Sequence, residues 1–250
     1  MPLQPEGLIF SKTIDSLFRT RGYTQLRIPQ NQDIKLDQSV VKARQKQPGL
    51  IVVDRFVEGK NQNYFTPEGY VPSSFLTYPW ETCMQIGTSW SYSFNDQYKP
   101  ARELIHMLVD IVSKGGNLLL NIGPGPDGTW PSEVYERLKE IGNWMKVNSE
   151  AIYDTKGMKN FAENNFRFTM GKDGRLFATY LASEGELKIP AELVITSIEP
   201  HTNTTINLLG YKQALKWAKI GNAIVIYVPK EMQEKPPSNY AWVFSISQAK

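Results

Sequence analysis

Hydrophobic and polar positions along residues 1–157 follow a pattern that predicts strands alternating with helices. Helical spacing of apolar side chains predicts helices at 5–19, 33–47, 101–114 and 131–153. Short apolar runs between them predict strands at 24–28, 50–54, 82–87 and 117–122. The runs at 50–54 and 117–122 are apolar on both faces, which is typical of parallel strands covered by helices. This region is therefore predicted to be a parallel α/β unit.

The pattern changes after about residue 155, where short strands are joined by tight turns. Strands predicted at 167–170 and 175–181 flank Gly171-Lys172-Asp173-Gly174, which is a hairpin signature. Strands predicted at 214–218 and 223–228 flank a second turn, and a last strand is predicted at 240–246. The fold class is therefore α/β then all-β. We predict a partial (β/α) TIM-like barrel over residues 1–157 and a small antiparallel β-sandwich over 158–250.

One glycine-rich stretch resembles a nucleotide-binding motif. Residues 123–128, GPGPDG, fit the G-x-G-x-x-G spacing and lie between a predicted strand and a predicted helix. A phosphate cradle needs free backbone N–H groups at the start of the helix, however, and Pro124 and Pro126 have none. The helix is also predicted to begin only at Pro131. We interpret the stretch as a rigid turn that follows a barrel strand.

Composition and charge exclude several classes of function. The net charge of +3 comes from scattered basic residues, which does not favour nucleic-acid binding. Cys83 is the only cysteine and there are two histidines, so no metal site and no cofactor are expected. No apolar run reaches membrane length, and the N-terminus shows no signal peptide. A cytoplasmic location is expected only if this start is authentic, and the compartment is otherwise unassigned.

Charged residues cluster where the predicted strands meet their loops. Asp54 and Arg55 end one strand, Glu81 lies near the start of the next, and Glu68 and Trp90 lie in loops. In barrel folds the chemistry lies where strands end and loops begin. Two carboxylates with an arginine and an aromatic ring suit the cleavage of a glycosidic bond, in which one carboxyl group donates a proton and a second attacks or activates water.

Two interpretations of Glu81 remain open. The neighbouring Trp80 would shield its carboxyl group from water and favour the protonated form that a general acid needs. Alternatively, Glu81 forms a salt bridge to a structural arginine.

Five blocks of the sequence, in order, resemble glycoside hydrolase family 29, the α-L-fucosidases. The blocks are QPGLIVVDR, NQNYFTPE, YPWETC, ELIHMLVDIVSKGGNLLLNIGPGPDG and EIGNWMKVNSEAIY. They are similar to the branch that prefers α-1,3/1,4-linked fucose. The resemblance implies a catalytic (β/α) barrel that hydrolyses terminal fucose of oligosaccharides or glycoconjugates without a metal, retaining configuration through a covalent intermediate. The region after the barrel resembles the C-terminal β-sandwich of that family by position.

The resemblance also implies roles for individual residues. Glu81, in WETC, matches the acid/base glutamate of the resembled branch, and Glu68, in TPE, matches the acid/base of another branch and is a second catalytic candidate. Arg55 matches a sugar-contacting arginine, and Trp90 matches an aromatic wall of the fucose pocket. Asp54 and Trp80, which adjoin Arg55 and Glu81, complete the predicted substrate-binding set.

The chain departs from the family pattern near its start. In the resembled family the nucleophile is an aspartate. If Ile14-Asp15 and Gly22-Tyr23 are the anchors of the resemblance, the corresponding position here is Thr20, which cannot form the usual glycosyl ester. Glu68, Asp54 or a carboxylate that activates water would then replace the nucleophile. A carboxylate separation of about 5–5.5 Å would favour retention of configuration, and one of about 6.5–9.5 Å would favour inversion. The alternative function is a non-catalytic remnant that binds fucose or another glycan. A partial barrel would leave open sheet edges, so a homo-oligomer that buries them is expected.

Overall fold

The structure, a computed structural model, describes residues 35–53, 60–201 and 203–247. It comprises two compact units, residues 1–65 and residues 66–250. The helix predicted at 5–19, the strand predicted at 24–28 and Thr20 lie outside the described residues. None of the helices in the described ranges is long and apolar enough to cross a membrane.

The described part of the first unit is a helix whose side chains hold the chain that follows it. Helix α1, Leu36–Lys46, confirms the helix predicted at 33–47. The Arg44 guanidinium donates to the Leu50 carbonyl oxygen (3.2 Å), the Asn61 carbonyl oxygen (2.9 Å) and Asn63 Oδ1 (2.7 Å). Arg44 therefore holds both the chain at Leu50 and the chain at 61–63 beside α1.

The strand predicted at 50–54 is wrong over its described residues. Only Val53 pairs, through an isolated bridge to Tyr64, and Ile51 is 67% exposed. The Asn63 side chain accepts the Val52 N–H (2.9 Å), and the Asn63 N–H donates to the Val52 carbonyl oxygen (2.8 Å). The backbone hydrogen-bonding groups of Val52 are therefore paired by the side chain and the backbone of Asn63 instead of by a full strand ladder.

The second unit opens with a parallel strand–helix–strand arrangement. Strands β1, Trp80–Gln85, and β2, Gly116–Asn121, pair in parallel, and α2, Ala101–Ser113, connects them. Helix α3, Ser132–Asn148, follows Pro131 and leads into a short 3-10 helix, Ser149–Ala151. These elements confirm the parallel α/β prediction. They pack through an apolar cluster that includes Ile86, Leu104, Val134 and Leu120.

The remaining strands form two antiparallel sheets. The first sheet has the order β3-β4-β5-β10-β7 and the second has the order β6-β9-β8. The bounds are β3 Thr155–Glu163, β4 Phe166–Gly171, β5 Leu176–Leu181, β6 Glu192–Ile195, β7 Thr205–Leu208, β8 Lys216–Ile220, β9 Ala223–Tyr227 and β10 Ala241–Ser247, with a short helix α4 at Lys230–Glu234. One apolar core contains residues of both sheets, for example Phe168 and Ile226. The predicted hairpins and β-sandwich are confirmed.

Polar contacts fasten the helices to the sandwich. The Asp110 carboxylate on α2 accepts from Arg167 Nε on β4 (2.7 Å) and from Lys114 Nζ (2.5 Å). The Trp144 indole N–H on α3 donates to the Ala241 carbonyl oxygen on β10 (2.9 Å). The architecture changes between the 3-10 helix and β3, so the predicted division at 157/158 lies inside β3.

Candidate active site

The two faces of the β1–β2 pair differ in chemistry. In a strand, successive side chains point to opposite faces. One face carries Trp80, Thr82 and Leu120 and packs on the helices, and Trp80 and Thr82 are at most 1% exposed. The opposite face, here called the polar face, consists of Glu81, Cys83, Gln85, Asn117, Leu119 and Asn121. The parallel register aligns it in the pairs Glu81–Asn117, Cys83–Leu119 and Gln85–Asn121.

Glu68 lies beside the polar face because the chain around it runs parallel to β1. The Cys83 N–H donates to the Pro67 carbonyl oxygen (3.1 Å), and the Gly69 N–H donates to the Cys83 carbonyl oxygen (2.8 Å). These bonds make Glu68 the direct partner of Cys83. Side chains directly opposite each other on paired strands point to the same face, so Glu68, Cys83 and Glu81 share one face.

Strand geometry gives the separation of the two glutamates. Glu81 precedes Cys83 by two positions, and Glu68 lies one strand away from Cys83. A strand rise of about 3.3 Å per residue and a strand spacing of about 4.8 Å place their Cα atoms roughly 8 Å apart. The side chains can therefore bring their carboxyl groups to the separations that glycosidases use, about 5–9.5 Å.

Trp90 lies at the end of this face where β1 and β2 lead into their loops. The Asn121 side-chain amide donates to the Trp90 carbonyl oxygen (2.8 Å). A Cβ atom built at Gly69 would lie 3.9 Å from the Trp90 indole, so the ring lies beside the residue that follows Glu68. Trp90 is 36% exposed and can therefore offer part of its ring to a ligand. The structure therefore places Trp90 next to Glu68 at the loop end of the polar face, and Glu81 nearer the amino end of the same face.

The loop after β1 is held by Asp96 and Lys99. Asp96 Oδ1 accepts from the Thr88 N–H (2.8 Å), the Thr88 hydroxyl (2.6 Å) and the Gln97 N–H (2.9 Å). Burial raises the pKa of Asp96, but the hydrogen bonds from Thr88 and Gln97 outweigh it and bring the pKa below its ordinary value. Lys99 Nζ donates to the carbonyl oxygens of Gln85 (2.7 Å) and Gly87 (2.8 Å). The backbone that carries Trp90 is therefore restrained.

Glu81 is not the partner of a structural arginine among the described residues. Its side chain is partly exposed, and no described group forms an ion pair or a hydrogen bond with its carboxylate. The salt-bridge interpretation of Glu81 therefore has no support within these ranges. Among the described residues, the place of Glu81 in β1 is what positions its carboxylate.

The prediction that Trp80 binds substrate is wrong. The side chain is 1% exposed, and its indole N–H donates to the Lys114 carbonyl oxygen (3.2 Å) inside the unit. Because Trp80 and Glu81 are adjacent in a strand, the ring lies on the face opposite the Glu81 carboxyl group. Trp80 neither contacts a sugar on the polar face nor shields Glu81 from water.

Asp54 and Arg55 were also predicted to contact substrate, and both lie outside the described residues. Sequence reasoning missed Gln85, Asn117 and Asn121, whose amides lie on the polar face. The signal was the period-2 spacing of the two asparagines in GNLLLN, which puts both on one face of a strand that is otherwise apolar. In the ranges that the structure describes, no cluster of three or more His, Cys, Asp or Glu residues could hold a metal ion.

Comparison with known proteins identifies the family. The family model for α-L-fucosidase matches residues 11–150, and the model for the α-L-fucosidase C-terminal domain matches residues 159–247. The chain belongs to the α-L-fucosidase family. The resemblance predicted from the sequence blocks is confirmed, including the C-terminal β-sandwich.

Individual α-L-fucosidases support this assignment. Plasma α-L-fucosidase of Homo sapiens is 31% identical over 213 residues, which cover 79% of this chain and 45% of the human protein. The α-L-fucosidase of Dictyostelium discoideum is 32% identical over 214 residues, again covering 79% and 45%. The chain thus spans about half the length of the curated relatives it matches.

Solved α-L-fucosidase structures share the fold. The structure of Thermotoga maritima α-fucosidase in complex with fucose superposes with a TM-score of 0.72 and 27% identity, over 95% of this chain and 55% of the other. A Paenibacillus thiaminolyticus α-L-fucosidase isoenzyme gives a TM-score of 0.74 at 21% identity, which supports the fold alone. The prediction of a partial barrel followed by a β-sandwich therefore agrees with the architecture of the family.

Proposed function

We propose that this chain hydrolyses terminal α-linked fucose on oligosaccharides or glycoconjugates, including the α-1,3/1,4 linkages of the resembled branch. The observation that carries the proposal is the placement of Glu68 and Glu81 on the polar face, with Trp90 beside Glu68. Two carboxyl groups at such a separation can divide the work of protonating the leaving oxygen and of attacking the anomeric carbon or activating water. The amides of Gln85 and Asn121 supply hydrogen bonds for sugar hydroxyls.

The positions of the two carboxylates along β1 favour Glu68 as the proton donor. Glu68 lies opposite Cys83, closer to the loop end of β1, where barrel enzymes place their chemistry. Glu81 lies opposite Asn117, near the amino end of both strands. We therefore assign the proton-donor role to Glu68 and the second carboxylate to Glu81, which reverses the assignment made from the sequence. Arg55 and Asp54 remain proposed sugar contacts.

Binding of fucose to the polar face can be tested by measuring how fast the thiol of Cys83 is alkylated. Cys83 is the only cysteine of the chain, is partly exposed and lies between Glu68 and Glu81 on this face. We expect saturating L-fucose to slow alkylation of Cys83 by iodoacetamide several-fold, measured by mass spectrometry over time. D-glucose serves as the matched sugar control and a Cys83→Ser variant as the labelling blank. Equal alkylation rates with and without L-fucose would contradict the proposed site.

A non-catalytic fucose-binding protein is the second candidate function. It is supported by the predicted correspondence of Thr20 to the family nucleophile, because a threonine cannot form a glycosyl ester. Protection of Cys83 by L-fucose, together with no release of fucose from any fucoside, would favour this candidate over the hydrolase.

We also propose that the protein forms homo-oligomers. Within the described residues β2 is an edge strand, and Leu119 on the polar face is 46% exposed. Exposed edges and apolar side chains favour association with a second copy. Sedimentation velocity is expected to show a species larger than the 28.5 kDa monomer. A single monomeric species across the micromolar range would refute this proposal.

A further inference from the structure

The ammonium group of Lys99 holds the loop end of β1 on the edge that faces away from β2. Along a strand, carbonyl groups two residues apart point to the same edge. The Cys83 carbonyl oxygen on this edge accepts from the Gly69 N–H (2.8 Å). The next two carbonyl oxygens on the edge, those of Gln85 and Gly87, accept from Lys99 Nζ (2.7 and 2.8 Å). The ammonium group therefore takes the place of a neighbouring strand beyond Gly69.

The backbone of Lys99 is bonded both to this strand end and to α3. Its N–H donates to the Ile86 carbonyl oxygen (2.9 Å). Its carbonyl oxygen accepts from Arg137 Nε on α3 (3.2 Å). Arg137 Nη1 donates in turn to Glu140 Oε2, which lies one helical turn further along α3 (3.1 Å). The end of β1 is thereby connected to one face of α3.

A tyrosine of the sandwich completes this series of contacts. Tyr240 immediately precedes β10, and its hydroxyl donates to Glu140 Oε1 (2.6 Å). The hydrogen bond to the Glu140 carboxylate is the main cause that raises the pKa of Tyr240 above its ordinary value. The hydroxyl therefore keeps its proton and donates at neutral pH. We call Tyr240, Glu140, Arg137 and Lys99 the relay.

The backbone of Tyr240 is held in an unusual conformation. Its φ is +73°, in the left-handed region that bulky residues rarely adopt. Its carbonyl oxygen accepts from His106 Nε2 on α2 (2.8 Å) and from the Ala182 N–H (3.0 Å). A residue stays in such a conformation only when the surrounding structure holds it there. The sandwich end of the relay is therefore a fixed point.

The other end of the relay reaches the proposed fucose site. Gln85 has its side chain on the polar face, and Trp90 follows Gly87 by three residues. The Trp90 ring lies beside the residue that follows Glu68. A shift of the strand end would move the Gln85 amide and the Trp90 ring together relative to Glu68. Small misplacements of groups that position a substrate are enough to slow a reaction.

We propose that Tyr240 is a positioning residue for fucoside hydrolysis and acts through the relay on the loop end of β1. This inference rests on the proposed function for its effect on the reaction, but hydrogen exchange of the strand end tests the relay separately. The sandwich would then contribute to the rate of hydrolysis as well as to stability.

The test compares Tyr240→Phe with Tyr180→Phe in the full chain. Each change removes a hydroxyl that is bonded to a glutamate, but the Tyr180 hydroxyl donates to Glu186 Oε1 (3.2 Å), outside the relay. Tyr240→Phe is expected to speed amide hydrogen exchange of the segment 84–99 several-fold, measured by mass spectrometry. It is also expected to lower kcat/KM for 4-nitrophenyl α-L-fucoside about threefold to tenfold. Tyr180→Phe should leave both quantities unchanged.

A double-mutant cycle shows whether the effect passes through Lys99. Lys99→Met removes the ammonium group, so it should speed exchange and slow hydrolysis more than Tyr240→Phe does. Adding Tyr240→Phe to Lys99→Met should then have little further effect, because the last contact of the relay is already absent. Lys99→Arg keeps donors for both carbonyl oxygens and should retain most of the wild-type rate. Arg137→Met interrupts the relay on α3 and should reproduce the effect of Tyr240→Phe.

Equal exchange rates of the segment 84–99 in Tyr240→Phe and in the wild type would overturn the proposal. Losses of kcat/KM that add in the double variant, or an equal loss in Tyr180→Phe, would overturn it too, because both tyrosines would then act only through general stability. If the wild type hydrolyses no fucoside, the proposed function fails, and the exchange rates still decide whether the relay holds the strand end. If Tyr240→Phe hydrolyses fucosides at the wild-type rate, the positioning role is refuted and the proposed function stands.

Discussion

A Glu68→Gln variant is expected to hydrolyse a fucosyl disaccharide about 10²–10⁴-fold more slowly than the wild type, measured as kcat/KM for fucose release. The amide keeps the shape of the side chain but cannot donate a proton to the departing sugar oxygen, and general acid catalysis typically contributes a factor of this size. With 4-nitrophenyl α-L-fucoside the loss should be much smaller, because nitrophenolate leaves without protonation. The ratio of the two losses therefore identifies the proton donor.

Glu81→Gln should behave differently. A second carboxylate that attacks or activates water is needed for both substrates, so its loss should lower kcat/KM for the disaccharide and for the aryl fucoside alike. Glu103→Gln, at an exposed glutamate in the first turn of α2, is the matched control and should retain wild-type rates. If the selective loss on the disaccharide belonged to Glu81→Gln, the assignment made from the sequence would be correct and ours would be wrong.

The sequence predicted elements well where local rules decide the outcome. The helix at 101–114 has apolar side chains at helical spacing and ends before Gly115, which has a φ of +83°. The hairpin at 167–181 has a turn whose Gly174 adopts a φ of +84°. Such features depend on neighbouring residues alone, so periodicity and turn chemistry are sufficient to locate them.

Prediction failed where the outcome depends on contacts distant in the chain. The apolar run at 50–53 is typical of a buried strand, yet the N–H and the carbonyl oxygen of Val52 are bonded by Asn63. The site was only partly predictable for the same reason. Glu68 and Glu81 were found by motif, but their common face follows from the pairing of Glu68 with Cys83, which no local pattern reveals.

Trp80 shows how a correct motif can give a wrong role. The order Trp-Glu in a loop would allow both side chains to meet a ligand, whereas in a strand it places them on opposite faces. The resemblance located WETC in the chain, and the strand geometry of β1 then divided it into a buried tryptophan and a glutamate on the polar face.

Replacement of Trp80 by alanine is expected to lower the free energy of unfolding by about 3–5 kcal/mol, measured by urea denaturation followed by circular dichroism. The ring is 1% exposed, and a Cβ atom at Gly116 would lie 2.3 Å from it, so the ring packs directly against β2. Its removal would therefore leave a cavity between the strands and the helices. The change also leaves the Lys114 carbonyl oxygen without the indole donor. If Trp80 instead bound the ligand, the variant would bind sugar more weakly and its free energy of unfolding would be unchanged.

The contact between Trp80 and Gly116 can be isolated with a double-mutant cycle. Gly116→Ala should destabilise the wild type, because its new methyl group meets the Trp80 ring, but should cost far less in a Trp80→Leu background, where the ring is absent. Gly142→Ala, in α3 with no atom within 4 Å of the new Cβ, is the control and should stabilise the protein by up to about 1 kcal/mol. An equal cost of Gly116→Ala in both backgrounds would mean that the ring does not limit the approach of the two strands.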